Sequence, residues 1–506
     1  MTERATLLAD DEHDRRLSAN VHPPEYQNPD PAPRYDLVVL GAGTAGLVTA
    51  AGAAGLGAKV ALVERHLMGG DCLNVGCVPS KAVIRSARTL AEFARAEARG
   101  LRPGASATAD FGAVMTRMRR IRAQLSRNDS AERFRGLGVD VFFGEGRFVG
   151  SEAIEVGGRS LRFRRAVVAT GARPEIPRIA GLAQAGYLTN ETVFSLREQP
   201  RRLAVVGAGP VGCELAQAFR RLGSEVVLFD VLPRILGGED ADAAAVLTRV
   251  LERDGVRLAL GVEIHYVERS PEGKTLQFKT GQGETAVTVD EILVGAGRAP
   301  NVEEIGLEAA GVEFDRKRGV LVDDRLRTSN ARVFAAGDVC LEAKFTHTAD
   351  FAARTVIQNA LFLGRKRFSK LAIPWCTYTQ PEIARVGLHE EDAAARGIAI
   401  DTFRRSFADV DRAVIDGEEE GFVKIHVGKG GDRILGATIV AEHAGDLVSE
   451  ITLAMTAGVG LGRLAAVVHP YPTRAEAIRQ LGDAYNRTRL TPFLKRVFAA
   501  WLRWSR

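Results

Sequence analysis

The chain has 506 residues, 68 Lys and Arg against 63 Asp and Glu, a formal net charge of +5, 46% hydrophobic residues and 53 Gly. It is too long for one core and reads as two to four domains of ordinary α/β composition. Its apolar runs fall short of the roughly 18 residues of a membrane span, and five cysteines (72, 77, 213, 340, 376) are too few for a secreted disulfide scaffold. From Ala484 onward stand six basic residues (Arg487, Arg489, Lys495, Arg496, Arg503, Arg506) and no acid, so the rest of the chain sums to 5 − 6 = −1. The basic balance belongs to the tail, and the body gives no sign of nucleic-acid binding.

Residues 1–33, rich in proline and in charges of both signs, read as a disordered or loosely docked arm. They lack the basic-then-apolar order of a signal peptide, which makes a cytoplasmic chain the expectation. The apolar run 35–40 then leads into Gly41-Ala42-Gly43-Thr44-Ala45-Gly46 and an Ala-rich helical pattern. A second strand, 59–63, ends in Glu64. Strand, glycine turn, helix, strand and acid form a dinucleotide fingerprint. Gly41, Gly43 and Gly46 allow the tight turn and close approach to a pyrophosphate, and Glu64 is placed to accept from a ribose hydroxyl.

Next comes Gly69-Gly70-Asp71-Cys72-Leu73-Asn74-Val75-Gly76-Cys77-Val78-Pro79-Ser80-Lys81, opening a helix-like run to Ala98. Residues five apart in a regular helix rise roughly 7.5 Å, too far for an unstrained disulfide. The first turn is therefore expected to be distorted, with Asn74, Gly76 and Pro79 permitting it. A thiolate there gains from the helix N-terminus. Two inert cysteines or half a metal site are the alternatives, but no second Cys/His cluster completes a zinc site.

Residues 82–135 are helical by pattern and 139–164 β-rich. The glycine fingerprint recurs as Gly207-Ala208-Gly209-Pro210-Val211-Gly212, with a strand over 225–229 ending in Asp230. In both copies the acid lies eighteen residues after the third glycine (64 and 46, 230 and 212), so two dinucleotides are expected. Asp230 would repel a 2′-phosphate and favours NADH over NADPH, with Arg234 the one nearby cation.

These motifs resemble the pyridine nucleotide–disulfide oxidoreductases: dihydrolipoamide dehydrogenase, glutathione reductase and the core of mercuric reductase. The likeness runs from about Tyr35 to about Gly482. It implies an α/β fold of two Rossmann-like domains, for FAD and NAD(P), plus an α+β C-terminal dimerisation domain. The boundaries that follow are an arm at 1–33, an FAD domain at 34–190 completed by 311–370, an NAD(P) domain at 191–310, a dimerisation domain at 371–486 and a basic amphipathic tail at 487–506. It implies FAD and a homodimer in which this last domain completes the partner's active site. Electrons would pass from NADH through the flavin to a Cys72–Cys77 disulfide, with Cys77 facing the flavin and Cys72 exchanging with the acceptor. Among cofactor contacts it suggests Gly70, Thr170, Gly171, Gly297 and Asp338, and a Lys81–Glu214 ion pair beside the flavin. Helix capping is the other reading of Asp338. Cys340 and Cys376 read as ordinary buried cysteines, and no metal site is expected.

The pattern departs at His469-Pro470-Tyr471-Pro472-Thr473-Arg474-Ala475-Glu476. The resembling disulfide reductases place an acid–base His two residues before the Thr; here that position is Tyr471, a poor base at neutral pH. A tyrosine there is similar to mercuric reductase, but that enzyme also delivers its metal ion through a C-terminal cysteine pair, and no cysteine follows Cys376. Prolines 470 and 472 favour extended backbone, which would put His469 and Tyr471 on one face, with Glu476 left to orient an imidazole. The acceptor stays open between a lipoamide-like disulfide, a metal ion, and a quinone or other group. In the tail, Thr491-Pro492 reads as a helix start. The aromatic and basic residues that follow suit either an anionic membrane surface or docking on the dimer. A flavoprotein recruited by this tail mainly to bind is the rival reading, which the intact cysteine pair disfavours.

Overall fold

The computed structural model describes residues 11–102, 108–281, 283–362 and 364–506. It divides into two compact units, residues 1–233 with 256–370, and residues 234–255 with 371–506.

The first unit opens with α1 (Glu12–Val21), capped by Asp11, whose side chain accepts from His13 and Asp14. Leu17 and Val21 of α1 are fully buried in the first core, and such burial is worth roughly 1.5–3 kcal/mol per side chain. Asp14 and Arg122, both 2% exposed, form an ion pair of 2.7 Å. Residues 12–21 of the arm are thus a docked helix and not a loose segment, the stretch to residue 33 that follows is not helical, and residues 1–10 lie outside the described residues.

Apolar runs then build β1 (Tyr35–Leu40), β2 (Val60–Glu64) and β3 (Val139–Phe143), with α2 (Thr44–Gly55) crossing between the first two. Between β2 and β3 lie α3 (Gly70–Asn74), α4 (Cys77–Ala94), α5 (Phe111–Leu125) and α6 (Ala131–Gly136). The helical reading of 82–135 holds for these spans but is interrupted after Ala94. The strands β4 (Gly146–Gly150), β5 (Ala153–Val156) and β6 (Arg159–Val168) complete the order β3-β2-β1-β6-β5-β4. The strands β1, β2, β3 and β6 run parallel, while β4 and β5 are antiparallel.

After β7 (Ala172–Pro174) and α7 (Leu182–Ala185), the second nucleotide unit repeats the plan with β8 (Arg202–Val206), α8 (Pro210–Leu222) and β9 (Glu225–Asp230). The helix α9 (Ala241–Asp254) follows in sequence but falls in the second compact unit. The strands β10 (Arg257–Leu260), β11 (Glu263–Ser270), β12 (Gly273–Thr280), β13 (Gly283–Val289) and β14 (Glu291–Val294) give a parallel sheet β10-β9-β8-β14 and an antiparallel sheet β11-β12-β13. The chain returns to the first sheet through β15 (Arg298–Pro300), which pairs β7, the ribbon β16–β17 (Phe314–Asp315 and Gly319–Val320), and β18 (Val333–Ala335), which pairs β6 in parallel. The helix α10 (Thr346–Leu361) then packs against α2.

The second unit holds an antiparallel sheet ordered β19-β20-β23-β22-β21, from β19 (Pro374–Thr377), β20 (Glu382–Gly387), β21 (Ile400–Ser406), β22 (Phe422–Gly428) and β23 (Ile434–Ala441). Around it run α11 (Glu390–Ala395), α12 (Asp411–Asp416), α13 (Ala444–Ala457), α14 (Leu461–Leu464) and α15 (Glu476–Thr488), over a core that includes Phe407, Ile425 and Ile478. Polar groups tie the segment around α9 to this sheet: Trp375 Nε1 donates to Glu239 Oε1 at 2.6 Å, and Lys424 Nζ to Asp242 Oδ1 at 2.9 Å. The chain ends in α16 (Pro492–Trp504), capped by Thr491, with no buried residue. No helix among the described residues is long and apolar enough to cross a membrane.

Candidate active site

The two glycine turns are the same structure built twice. Gly41 N donates to Val63 O and Gly207 N to Phe229 O, both at 2.8 Å. A Cβ on Gly46 would stand 1.8 Å from Gly41 O, and one on Gly212 the same distance from Gly207 O, so only glycine lets helix and turn approach that closely. The acids also repeat. Glu64 accepts from Ala42 N and His66 N, both at 2.8 Å, and Asp230 accepts from Ala208 N at 2.6 Å and Leu232 N at 2.8 Å. Each carboxylate therefore braces its turn, a task additional to the ribose contact expected from sequence. Gly43 and Gly209 cap α2 and α8 without any side-chain bond, leaving backbone N–H groups free for a phosphate. Over Gly209 a Cβ would meet nothing within 4 Å. Both turns thus fit a dinucleotide pyrophosphate.

The redox segment lies against the first turn. Gly70 has φ +57°, and a Cβ there would come within 2.7 Å of Gly43 Cα. The helix breaks as the spacing requires: Cys72 sits in α3, Val75 and Gly76 interrupt, and Cys77 opens α4. Both cysteines are thiols here. The hydrogen bond from Cys72 lowers Cys77 to about 6 against the cost of burial, helped by Thr346 and the charge of Lys81. The same contact with Cys77, together with burial, pushes Cys72 up. The contact thus favours the thiolate at Cys77 over one at Cys72. Lys81 Nζ pairs with Glu214 Oε2 at 2.8 Å, the carboxylate only 5% exposed.

Thr170 Oγ1 donates to Asn301 O at 2.7 Å, beside Gly171 with φ +70°. Next to Gly297, Arg298 pairs with Asp71 of α3 and stands 3.7 Å from Asp338. Asp338 is therefore an ion-pair carboxylate, and Phe345, not Asp338, caps α10. Burial raises the Asp338 carboxyl against the pull of Arg298.

Sequence reading missed three contributors. Thr346, the first residue of α10, has its hydroxyl 3.3 Å from Cys77 Sγ. Arg298 joins Asp71 to Asp338. Arg122 donates to Asn74 O at 2.8 Å, inside the loop between the cysteines. Each partner lies 40 or more residues away, beyond any local signal.

In the second unit, His469 Nε2 is 3.0 Å from Glu450 Oε1, while the exposed Tyr471 donates to Asp411 Oδ2 at 2.8 Å. That bond raises the phenol further. His469 and Tyr471 thus serve different partners. Glu476 accepts from Arg479 at 2.8 Å and is not left to orient an imidazole. Arg234, the cation expected near Asp230, donates to Gly237 O and pairs with Glu391. Cys340 and Cys376 are partly buried against apolar clusters.

A family model described as pyridine nucleotide-disulphide oxidoreductase matches residues 35–356, and that of its dimerisation domain matches residues 373–481. A mercuric reductase of Staphylococcus aureus is 34% identical over 445 residues, 88% of this chain and 81% of its own. A dihydrolipoyl dehydrogenase of Thermus scotoductus is 34% identical over 462 residues, 90% of this chain and 98% of its own. Among solved structures, LpdA of Mycobacterium tuberculosis superposes with a TM-score of 0.81 at 27% identity, covering 89% of this chain and 99% of its own. The HOCl-induced flavoprotein disulfide reductase RclA of Escherichia coli gives 0.79 at 25%, with the same coverage. The dimerisation domain supports a homodimer. The chain belongs to the pyridine nucleotide-disulphide oxidoreductases, as an FAD-dependent enzyme that uses NAD(P)H.

Proposed function

We propose that the chain is an NADH-dependent reductase whose acceptor is a disulfide. The observation that carries this reading is the two-cysteine segment itself, with Cys72 in α3 and Cys77 opening α4 beside Thr346, where the contact with Cys72 lowers the Cys77 thiol. Such a pair suits dithiol–disulfide exchange, in which one sulfur attacks the acceptor and the other resolves the mixed disulfide. FAD, when bound, supplies the two-electron relay between nicotinamide and disulfide. The Lys81 ammonium, held by Glu214, stabilises negative charge beside Cys77. A soft metal ion would find this one thiol pair, since burial pushes Cys213 and Cys340 up and out of thiolate chemistry. For the nucleotide, Asp230 opposes a 2′-phosphate while Arg234 is committed elsewhere, which supports NADH.

The test is an acceptor screen with NADH across lipoamide, glutathione disulfide, Hg(II), quinones and oxygen. The expected result is turnover with a disulfide that Cys72→Ser abolishes. Faster turnover with Hg(II) or a quinone, surviving Cys72→Ser, overturns the reading.

We also assign α16 to an anionic lipid surface reached from the cytoplasm. The helix exposes Phe493, Phe498, Trp501 and Trp504 together with Lys495, Arg496 and Arg503, and it contains no acid. That charge fits acidic headgroups, and the aromatic side chains fit the interface beneath them.

A further inference from the structure

The acid that ends β2 marks the adenosine end of the flavin nucleotide site. In a dinucleotide fold the acid closing the second strand takes a ribose hydroxyl, and the ligand lies outside the carboxyl ends of the strands. Here that acid is Glu64, and the next strand out is β3, the edge of the first sheet. Glu64 Oε1 accepts from His66 N at 2.8 Å, and Glu64 O accepts from Gly144 N, just past β3, at 2.9 Å. Residues 64–66 and 143–144 thus form one bonded rim at the ends of the two strands.

The arm grips this rim. His22 Nδ1 donates to His66 O, and its imidazole stacks on Phe143 with ring centroids 4.2 Å apart and planes 13° apart. Asn28 bonds both backbone groups of Phe143: Nδ2 donates to the carbonyl at 2.8 Å, and Oδ1 accepts from the N–H at 2.7 Å. It satisfies the open edge of β3 as an added strand would. Tyr26 donates to Val141 O at 2.9 Å and sets its ring edge-on to Phe143, centroids 4.9 Å apart. Just before them, Val21 O accepts from Met68 N at 3.1 Å.

We infer that His22, Tyr26 and Asn28 form a clasp that shapes the adenosine subsite for FAD. Retention of the cofactor then depends on chain that precedes the family's matched segment, which starts at residue 35. An adenine presents donors and acceptors along its edge, and backbone N–H and C=O groups beyond strand ends can match them. They match only while the rim keeps its place. Asn28 fixes the end of β3 at Phe143, and His22 fixes the peptide that follows Glu64 and Arg65. A site held in its bound shape before the ligand arrives loses less freedom on binding.

The experiment compares full-length wild-type holoenzyme with His22→Ala and Asn28→Ala in two measurements. One is the rate of FAD release on dilution below the melting temperature, followed by filtration and flavin absorbance. The other is the visible spectrum of the flavin still bound, which reports on the isoalloxazine end. The expected result is release at least fivefold faster in both variants, with the bound spectrum unchanged. His22→Gln, which keeps a donor for His66 O, takes the place of His22→Ala where that variant does not fold. Release less than fivefold faster in either variant overturns the proposal. A shifted bound spectrum also overturns it, because loosening of the whole domain would disturb the flavin end together with the adenosine end.

Discussion

Lys81 Nζ stands 2.8 Å from Glu214 Oε2, joining the helix that begins with Cys77 to the first helix of the second nucleotide unit. The lysine charge lowers the Cys77 thiol and the glutamate charge raises it. In wild type, the long-wavelength absorbance of a thiolate beside oxidised flavin should fade as pH falls through about 6, because protonation of Cys77 removes the donor. Lys81→Met should move that midpoint upward by about one pH unit and Glu214→Gln should move it downward, since a nearby charge typically shifts a pKa by about 1–3. A spectral titration of the NADH-reduced enzyme checks both directions, and Cys77→Ser should abolish the band.

Nucleotide choice is read from Asp230. NADH should exceed NADPH by at least about tenfold in kcat/KM, equivalent to about 1.4 kcal/mol of transition-state binding. Asp230→Asn should narrow the ratio, at some cost in stability because the carboxylate also braces Ala208 and Leu232. Steady-state kinetics with both nucleotides measures it, and equal use of NADPH by wild type would count against the assignment.

Tyr471→Phe should leave lipoamide turnover within about twofold and stability within about 0.5 kcal/mol, as exposed substitutions usually do. Its hydroxyl serves Asp411. A tenfold loss in turnover would return the tyrosine to the reaction.

Vesicles containing anionic lipid should co-sediment the full-length dimer, and salt should weaken the binding. Each basic residue near such a surface contributes about 1 kcal/mol, and two tails per dimer act together. Deleting residues 491–506 should release the protein while leaving flavin reduction and the melting temperature unchanged. A drop in melting temperature or dimer affinity without lipid binding would show instead that the helix docks on a second copy.

The sequence announced whatever local chemistry dictates. The doubled glycine turns were legible because Gly46 and Gly212 have no room for a Cβ, and the start of α16 was legible in Thr491-Pro492. The Lys81–Glu214 pair was reached through family likeness, not through spacing. What escaped was long-range. Asp14 looked like part of a loose arm because its partner, Arg122, lies 108 residues on. The engagement of Glu476 by Arg479 was local but hidden by the expectation of an imidazole.

The docked α1 also changes where the catalytic module begins. The family's shared segment starts at residue 35, yet Arg122, which grips the carbonyl of Asn74 between the two cysteines, is neutralised by Asp14 upstream of that boundary. A polypeptide trimmed to the shared segment would keep both glycine turns and both cysteines. It would also keep a guanidinium stranded beneath the redox loop with no counter-charge, a situation that typically costs about 3–5 kcal/mol. The matched segment and the segment that satisfies Arg122 are therefore different lengths of chain, and the turns of helix at the front support the redox loop.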